Sequence, residues 1–404
     1  MQKTICELFA GVGGFRVGME RLTSGWETVW FSQWDPDRKA QWAHECYTRH
    51  FGDSVDINGE YHTCEDIAKV DKRNIPDHTL LVGGFPCQDY SVAHTLPTAN
   101  GIKGSKGSLW WQVNEILTIK RPAFCLLENV DRIIISPKGR RGRDFAVILA
   151  CFAEKGYSVE WRVVNAALYG GPQRRKRTFI FAYRNDTLYG MQKESETAET
   201  IIKETGLMAK AFPVSSMGSL KEVKLNGTLA DISENFIFDF ENAGYMSNQN
   251  VFTSKIVELE EQPVLLGDVL QSDVDAKHYI PNSMMDRWKY LKGAKKIPRV
   301  SKTGYEYFFT EGAIAFPDPL DRPSRTLVTG EGRTDRSSHV VTDPVTGQLR
   351  TLTAVETERL QCFDDDWTLG MPDNMRRFCM GNALVTQMVT RMGAVLDNII
   401  SNEP

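Results

Sequence analysis

Along the first half of the chain, apolar residues fall into two alternating patterns. Compact runs at Thr4–Phe9, Thr28–Ser32, Thr79–Val82, Ala123–Leu127, Ser158–Val164 and Thr178–Tyr183 predict strands. Stretches with apolar positions three or four apart at Phe15–Arg21, Pro36–Arg49, Leu109–Lys120 and Asp144–Lys155 predict helices. This order predicts an α/β fold, a Rossmann-like doubly wound sheet. From about Asp186 the alternation fades into the polar "QKESETAETIIKE" and irregular apolar patches, which reads as a change of domain. The predicted division is a first domain over 1–185, completed by about 370–404, and a smaller, irregular domain with its hinge over 186–369.

Charge changes at the same place. Residues 186–270 carry 14 Asp/Glu against 6 Lys, whereas "RWKYLKGAKKIPR" (287–299) carries six Lys/Arg and no acid. Such runs are ordinarily solvated faces. The net charge of -4 over 404 residues argues against a protein that coats polyanions generally, but leaves room for a local basic face. No apolar run approaches the roughly 18 residues of a membrane span, and "KTICELFA" near the start has no secretory pattern, so a cytoplasmic protein without a membrane partner is expected. The eight cysteines include no C-x-x-C pair, so no metal site is expected.

Open α/β sheets bind ligands outside the carboxyl ends of their strands. Strand one ends in "FAGVGGF" (Phe9, Gly11, Gly13), strand two in "SQWD" (Gln33, Trp34, Asp35), a later segment in "EDI" (Asp66, Ile67), the next in "GGFPCQ" and the one after in "LLENV" (Glu128, Asn129). Glycines admit close backbone approach, an acid after strand two suits ribose hydroxyls, and Trp34 suits an adenine face. "GVGG" alone would fit any α/β glycine turn and lacks the G-x-G-x-x-G fingerprint; with Trp34, Asp35 and Asp66 it points to an adenosine-type cofactor.

In "TLLVGGFPCQDYSVA" (79–93), Pro86 fixes φ and two glycines relieve crowding, which places Cys87 at the sheet's rim rather than in the core. None of the seven histidines stands in a catalytic context, so a cysteine-protease arrangement is disfavoured. The remaining partners are Glu128 and the "GGPQRRKRTF" run, where Gln173, Arg175 and Arg177 alternate toward one side of an extended segment.

Taken together, these motifs resemble the DNA (cytosine-5)-methyltransferases, of bacterial or phage type. "ELFAGVGGFR" is similar to the family's cofactor motif, "GGFPCQDYS" to its nucleophile motif, "GSLWW" to the adjoining cofactor segment, "LLENV" to its glutamate motif and "PQRRKR" to its Gln-x-Arg-x-Arg motif. "RPSRTLVTGEGRTDRSSHVV" (322–341), "LTAVETERLQCF" and "MGNALVTQMV" are similar to its later segments, so only the middle of the chain lies outside the resemblance.

The resemblance implies a class I methyltransferase fold, S-adenosyl-L-methionine as methyl donor, and duplex DNA as substrate, bound with the target cytosine flipped out. It implies Cys87 as nucleophile at C6, Glu128 on N3 and the exocyclic amine, Arg175 on the O2 side, Arg177 supporting a loop or phosphate, and Gln173 beside them. Phe9, Gly11, Gly13, Trp34, Asp66, Ile67, Pro86, Leu109, Asn382 and Ala383 would line the cofactor pocket. The family usually carries an acid before the stacking residue; here the order is Gln33-Trp34-Asp35, so the ribose ligand is Asp35 or Gln33, with Asp35 favoured. Residues 87–108 would form a lid, with Ser91, Lys103 and Lys106 near DNA. Residues 186–320 would choose the target, with the basic run, Arg333 and Arg336 as DNA contacts. A monomer is expected, with a restriction endonuclease of the same site as a companion; the runner-up activity is RNA cytosine-5 methylation.

Overall fold

The computed structural model describes residues 1–85, 109–301 and 303–404. The chain forms two compact units. One comprises Met1–Tyr169, Lys176–Glu261 and Thr386–Pro404; the other comprises Gly170–Arg175 and Gln262–Val385.

The first unit is built on β1 (Thr4–Leu8), β2 (Glu27–Ser32), β3 (Leu80–Gly84), β4 (Phe124–Val130), β5 (Tyr157–Asn165) and β6 (Lys176–Arg184). β7 (Val214–Met217) pairs with β11 (Ile256–Glu258) in a separate ladder. β8 (Lys221–Lys224), β9 (Ala243–Ser247) and β10 (Asn250–Ser254) extend the main sheet to nine strands in the order β2-β1-β3-β4-β6-β5-β9-β10-β8. The first four positions in that order pair in parallel, and β6 then runs antiparallel to β4.

Parallel strands covered on both faces read as continuous apolar runs, which "TICEL", "LLVGG" and "FCLL" are. Cys6, Leu8, Leu81, Cys125 and Leu127 share one core with Trp110 and Val113 of α3 (Leu109–Lys120) and with Phe145, Leu149 and Phe152 of α4 (Arg143–Glu154). Burying each large side chain contributes roughly 1.5–3 kcal/mol, enough to hold the strand order. Two further helices, α1 (Gly14–Glu20) and α2 (Trp42–Phe51), follow β1 and β2. The helix Thr386–Ser401 packs closely on α1, and a Cβ at Gly18 would come 2.5 Å from Val389 Cβ.

Two sequence expectations change. The helix predicted from Pro36 begins at Trp42, because the Gln41 side chain closes the preceding turn by donating to the carbonyls of Asp35 (2.9 Å) and Arg38 (2.7 Å). The compact units also divide elsewhere than at Asp186: the unit of the sheet continues to Glu261, since β9 and β10 add to the β5 edge despite their polar flanks. Residues 370–385 belong to the second unit.

That second unit has little regular structure: a ribbon of β12 (Lys295–Val300) and β13 (Glu306–Glu311), a hairpin of β14 (Val340–Thr342) and β15 (Leu349–Thr351), and short helices including Met285–Lys292, Ala354–Leu360 and Asp373–Asn382. Polar groups do much of the holding. Fully buried Arg350 reaches Asp343 at 2.7 Å and Glu356 at 2.7 Å, and Glu356 forms a capping box with Thr353. Among the described residues no helix is long and apolar enough to cross a membrane.

Candidate active site

Because β2, β1, β3 and β4 are parallel, their carboxyl ends share one rim. At the end of β1 the backbone turns through Phe9 (φ 54°), Gly11 (φ 58°) and Gly13 (φ 91°) in the left-handed region. The Gly11 N–H donates to Gln33 Oε1 at 2.7 Å, which ties this turn to the end of β2. Among the described residues a Cβ at Gly11 would meet nothing within 4 Å, whereas at Gly13 it would come 2.7 Å from the Phe51 ring. Within β1 itself, Glu7 is fully buried and accepts from Tyr47 Oη at 3.0 Å; burial pushes its carboxyl up to about 7.

Trp34 is exposed, and Asp35 is half-buried with its carboxylate 3.1 Å from Arg38 Nε. Asp66 is half-buried and accepts from the Ala68 N–H at 3.0 Å. Ile67 is buried, and its carbonyl accepts from Lys72 Nζ at 2.6 Å. Lys72, buried and also bonded to the Val70 carbonyl at 2.7 Å, is a support that periodicity gave no sign of. Leu109 is half-buried at the first turn of α3. The three carboxylate and aromatic groups of this rim, Trp34, Asp35 and Asp66, suit a nucleoside: an acid for ribose hydroxyls and an exposed indole for an adenine ring.

Glu128 stands next to Gly84 in the ladder, and a Cβ at Gly84 would come 3.2 Å from Glu128 Oε2. Arg177 Nε lies 2.7 Å from Glu128 Oε1, with both side chains largely sheltered. Asn129 is buried and donates to the Phe85 carbonyl at 2.7 Å, pinning the exit of β3 to the end of β4. That bond fixes the backbone at the end of β3. Pro86, Cys87, Ser91, Lys103, Lys106 and the 87–108 lid lie outside the described residues. The other cysteines make poor nucleophiles where burial acts on them: it pushes the Cys151 thiol up to about 12 and those of Cys6 and Cys125 upward as well.

Arg175 is placed differently from the expectation that it holds the O2 side of a base. It is buried and donates to the carbonyls of Leu327 (3.0 Å) and Gly381 (3.1 Å) within the second unit. The predicted alternation fails because β6 begins only at Lys176, so Arg175 and Arg177 fall in different units. The cation that meets Glu128 is Arg177. Gln173 is buried, donating to the Leu360 carbonyl at 2.6 Å and to Gln361 Oε1 at 3.0 Å, and accepting from the Leu327 N–H at 3.1 Å. Gln361 extends this amide chain to the carbonyls of Met380 (2.6 Å) and Ala383 (3.0 Å). Asn382 is exposed and Ala383 half-buried at the end of the helix Asp373–Asn382. Arg333 is exposed. Arg336, expected at DNA, turns inward to the carbonyls of Leu291 (3.0 Å), Gly293 (3.1 Å) and Gly312.

A glycine turn after β1, an acid-bearing end of β2 and an antiparallel β6 closing a parallel core define a class I methyltransferase fold. The chain belongs to the C-5 cytosine-specific DNA methylase family, which it matches over residues 3–398. It is 44% identical over 403 residues to the Type II methyltransferase M.Sau3AI of Staphylococcus aureus, across 98% of this chain and 96% of that one. Over 188 residues it is 36% identical to the Type II methyltransferase M.NgoBI of Neisseria gonorrhoeae, across 46% and 52% of the two chains. Among solved structures, S. pombe Dnmt2 methyltransferase matches with a TM-score of 0.59 at 13% identity, covering 99% of this chain and 100% of that one. Entamoeba histolytica methyltransferase EhMeth matches at 0.57 with 15% identity, covering 99% of both. At such identities the two structures show a common fold and no more.

Proposed function

We propose that this protein methylates C5 of cytosine within a specific duplex DNA sequence, through a covalent bond from Cys87 to C6 of a flipped base. The observation that carries the reading is the Glu128–Arg177 pair, 2.7 Å apart beside Gly84, three residues ahead of Cys87. C5 of cytosine is a weak nucleophile in an aromatic ring. Addition of the Cys87 thiolate at C6 would turn the ring into an enamine, with Glu128 stabilising N3 and the exocyclic amine. Arg177 takes the role expected of Arg175: it orients Glu128 and can reach the neighbouring O2 edge, while Arg175 holds backbone. After methylation a base removes the C5 proton and Cys87 departs. Flipping costs a few kcal/mol, recovered through contacts in the pocket.

S-Adenosyl-L-methionine, when bound, supplies the electrophilic methyl group. Phe9, Gly11 and Gly13 would face it at the turn, Trp34 and Ile67 would flank the adenine, and Asp66 would meet its amine. Asp35 would hold the ribose, a choice supported by Gln33, whose side-chain oxygen is engaged by Gly11. Pro86, Leu109, Asn382 and Ala383 complete the expected set. The enzyme would act in the cytoplasm as a monomer, and the Type II names of its relatives favour a restriction–modification setting with a cognate endonuclease.

Bisulfite sequencing of DNA from cells expressing the protein should show 5-methylcytosine at one recurring sequence, and Cys87→Ala should show none while still binding S-adenosyl-L-methionine. Duplex DNA carrying 5-fluorocytosine should trap the wild-type protein covalently. Unmodified DNA alongside methylated RNA would overturn the reading in favour of an RNA enzyme.

A further inference from the structure

The ribbon β12–β13 stands out in the second unit because a sheet of two strands is marginal in water and is normally covered on one face. Cross-strand pairs place Lys296, Pro298, Val300, Glu306, Phe308 and Thr310 on one face, and all six are exposed. Val300 is 64% and Phe308 59% exposed, and among the described residues nothing apolar is laid over this face. Toward the tip of the opposite face, Arg299 and Tyr307 are exposed as well. Two cations, one on each face, are supported by rings: Lys296 Nζ lies 4.6 Å from the centre of Phe308, and Arg299 Cζ 3.9 Å from that of Phe309. Among the described residues neither is ion-paired with a carboxylate, unlike Lys295, which meets Glu311 at 3.3 Å.

The base of the ribbon is built to hold it rigid. Arg336 donates to carbonyls on both sides of it, Gly293 before β12 and Gly312 after β13, and to Leu291 in the preceding helix. Buried Lys292 donates to the carbonyls of Arg336 (2.9 Å) and Ser338. Of the basic run 287–299, Lys292 is thus structural, and Arg336 is a positioning residue.

We propose that the β12–β13 ribbon is the element of the second unit that lies on duplex DNA, with Lys296 and Arg299 meeting phosphates and the exposed face around Phe308 turned toward the groove. This rests on the DNA-methylating reading given above. A two-stranded ribbon has the width the major groove admits. Its exposed cations are complementary to a polyanion although the chain as a whole carries -4. Phosphate contacts position, so Lys296 and Arg299 would set affinity, leaving base selection to their neighbours.

The test is the double variant Lys296→Ala/Arg299→Ala, compared with wild type and with Lys296→Arg/Arg299→Lys. Binding of sheared genomic duplex DNA would be measured by fluorescence anisotropy across a salt series, beside an RNA duplex, with melting temperature recorded. The alanine variant should bind DNA roughly ten-fold or more weakly, and its slope of log Kd against log salt should fall by about 2. Melting temperature should stay at the wild-type value, and the charge-conserving variant should recover the slope. Unchanged affinity and slope would overturn the proposal, as would a loss confined to RNA. Failure of the activity reading is a separate result: wild-type protein that binds DNA through the ribbon but transfers no methyl group to cytosine.

Discussion

Arg175 and Arg177 are two residues apart in one motif, yet they belong to different kinds of region. Arg177 sits on the sheet, where strand ends bring Glu128, Gly84 and the glycine turn to one rim and leave charged groups with capacity to act. Arg175 sits in a unit with little regular structure, and its guanidinium donates to the carbonyls of Leu327 and Gly381. The same contrast separates Lys296 and Arg299 from Arg336 inside the second unit: some cations face outward, and another stitches irregular backbone together. Where strands and helices satisfy the main chain, polar side chains are free for chemistry; where they do not, those side chains become the scaffold.

The largest effect expected from this contrast is on turnover. Glu128→Gln and Arg177→Ala should each lower kcat by about 100-fold or more while melting temperature hardly moves, since in the proposed mechanism both would remove preorganised charge at the reacting ring. Arg175→Ala should reverse the pattern, costing about 2–4 kcal/mol of stability by leaving buried carbonyls without a donor. Single-turnover kinetics together with calorimetry separates the two; a stable but inactive Arg175→Ala protein would break the contrast and return Arg175 to the substrate.

The two regions should also answer pH in opposite directions. Burial raises Glu7 from an ordinary 4.5 to about 7, so the folded state binds its proton more tightly than the unfolded chain does. The sheet unit should therefore lose stability, on the order of 3 kcal/mol, as pH rises from about 4.5 to about 7, and Glu7→Gln should flatten that slope. Asp343 in the second unit behaves inversely. Burial alone would raise it, but bonds from the Thr346 and Val345 backbone and from Arg350 outweigh that and hold it down to about 2. Its contribution should be lost as pH falls from about 4 toward about 2. Hydrogen exchange resolved by segment across this pH range reads the two responses apart.

The smallest expected change is a gain. Cys362 occupies a left-handed conformation, φ 59°, which favours glycine. Cys362→Gly should stabilise the protein by up to about 1 kcal/mol, visible as a modest rise in melting temperature without a change in activity.

Much of the sheet was legible in the sequence because parallel strands buried on both faces leave unbroken apolar runs, and strands β1, β3 and β4 lie close to their predicted positions. The glycine turn was legible for a similar reason: positive φ at Gly11 and Gly13 restricts residue choice. The start of β6 was not. Alternation says that Arg175 and Arg177 point the same way if both are in a strand, but it does not say where the strand begins. Lys72, Gln41, Asn129 and Gln361 were equally hidden, since each acts through a hydrogen bond to backbone that no spacing rule encodes. The division near Asp186 misled because composition reports exposure, and an antiparallel edge of a sheet is exposed while still belonging to it.

The short segment Gly170–Arg175 has a consequence for how this protein can be made or taken apart. It leaves the sheet unit after β5, contributes Gln173 and Arg175 to the other unit, and returns as β6, while Thr386–Pro404 crosses back once more. Four crossings mean that no single cut separates the two units. During synthesis, Gln173 must wait for Leu327, Leu360 and Gln361 before its amide is satisfied, and α1 must wait for the helix Thr386–Ser401 to emerge from the ribosome. The two units should therefore mature together and late, which makes splitting the gene between them a poor route to two foldable halves.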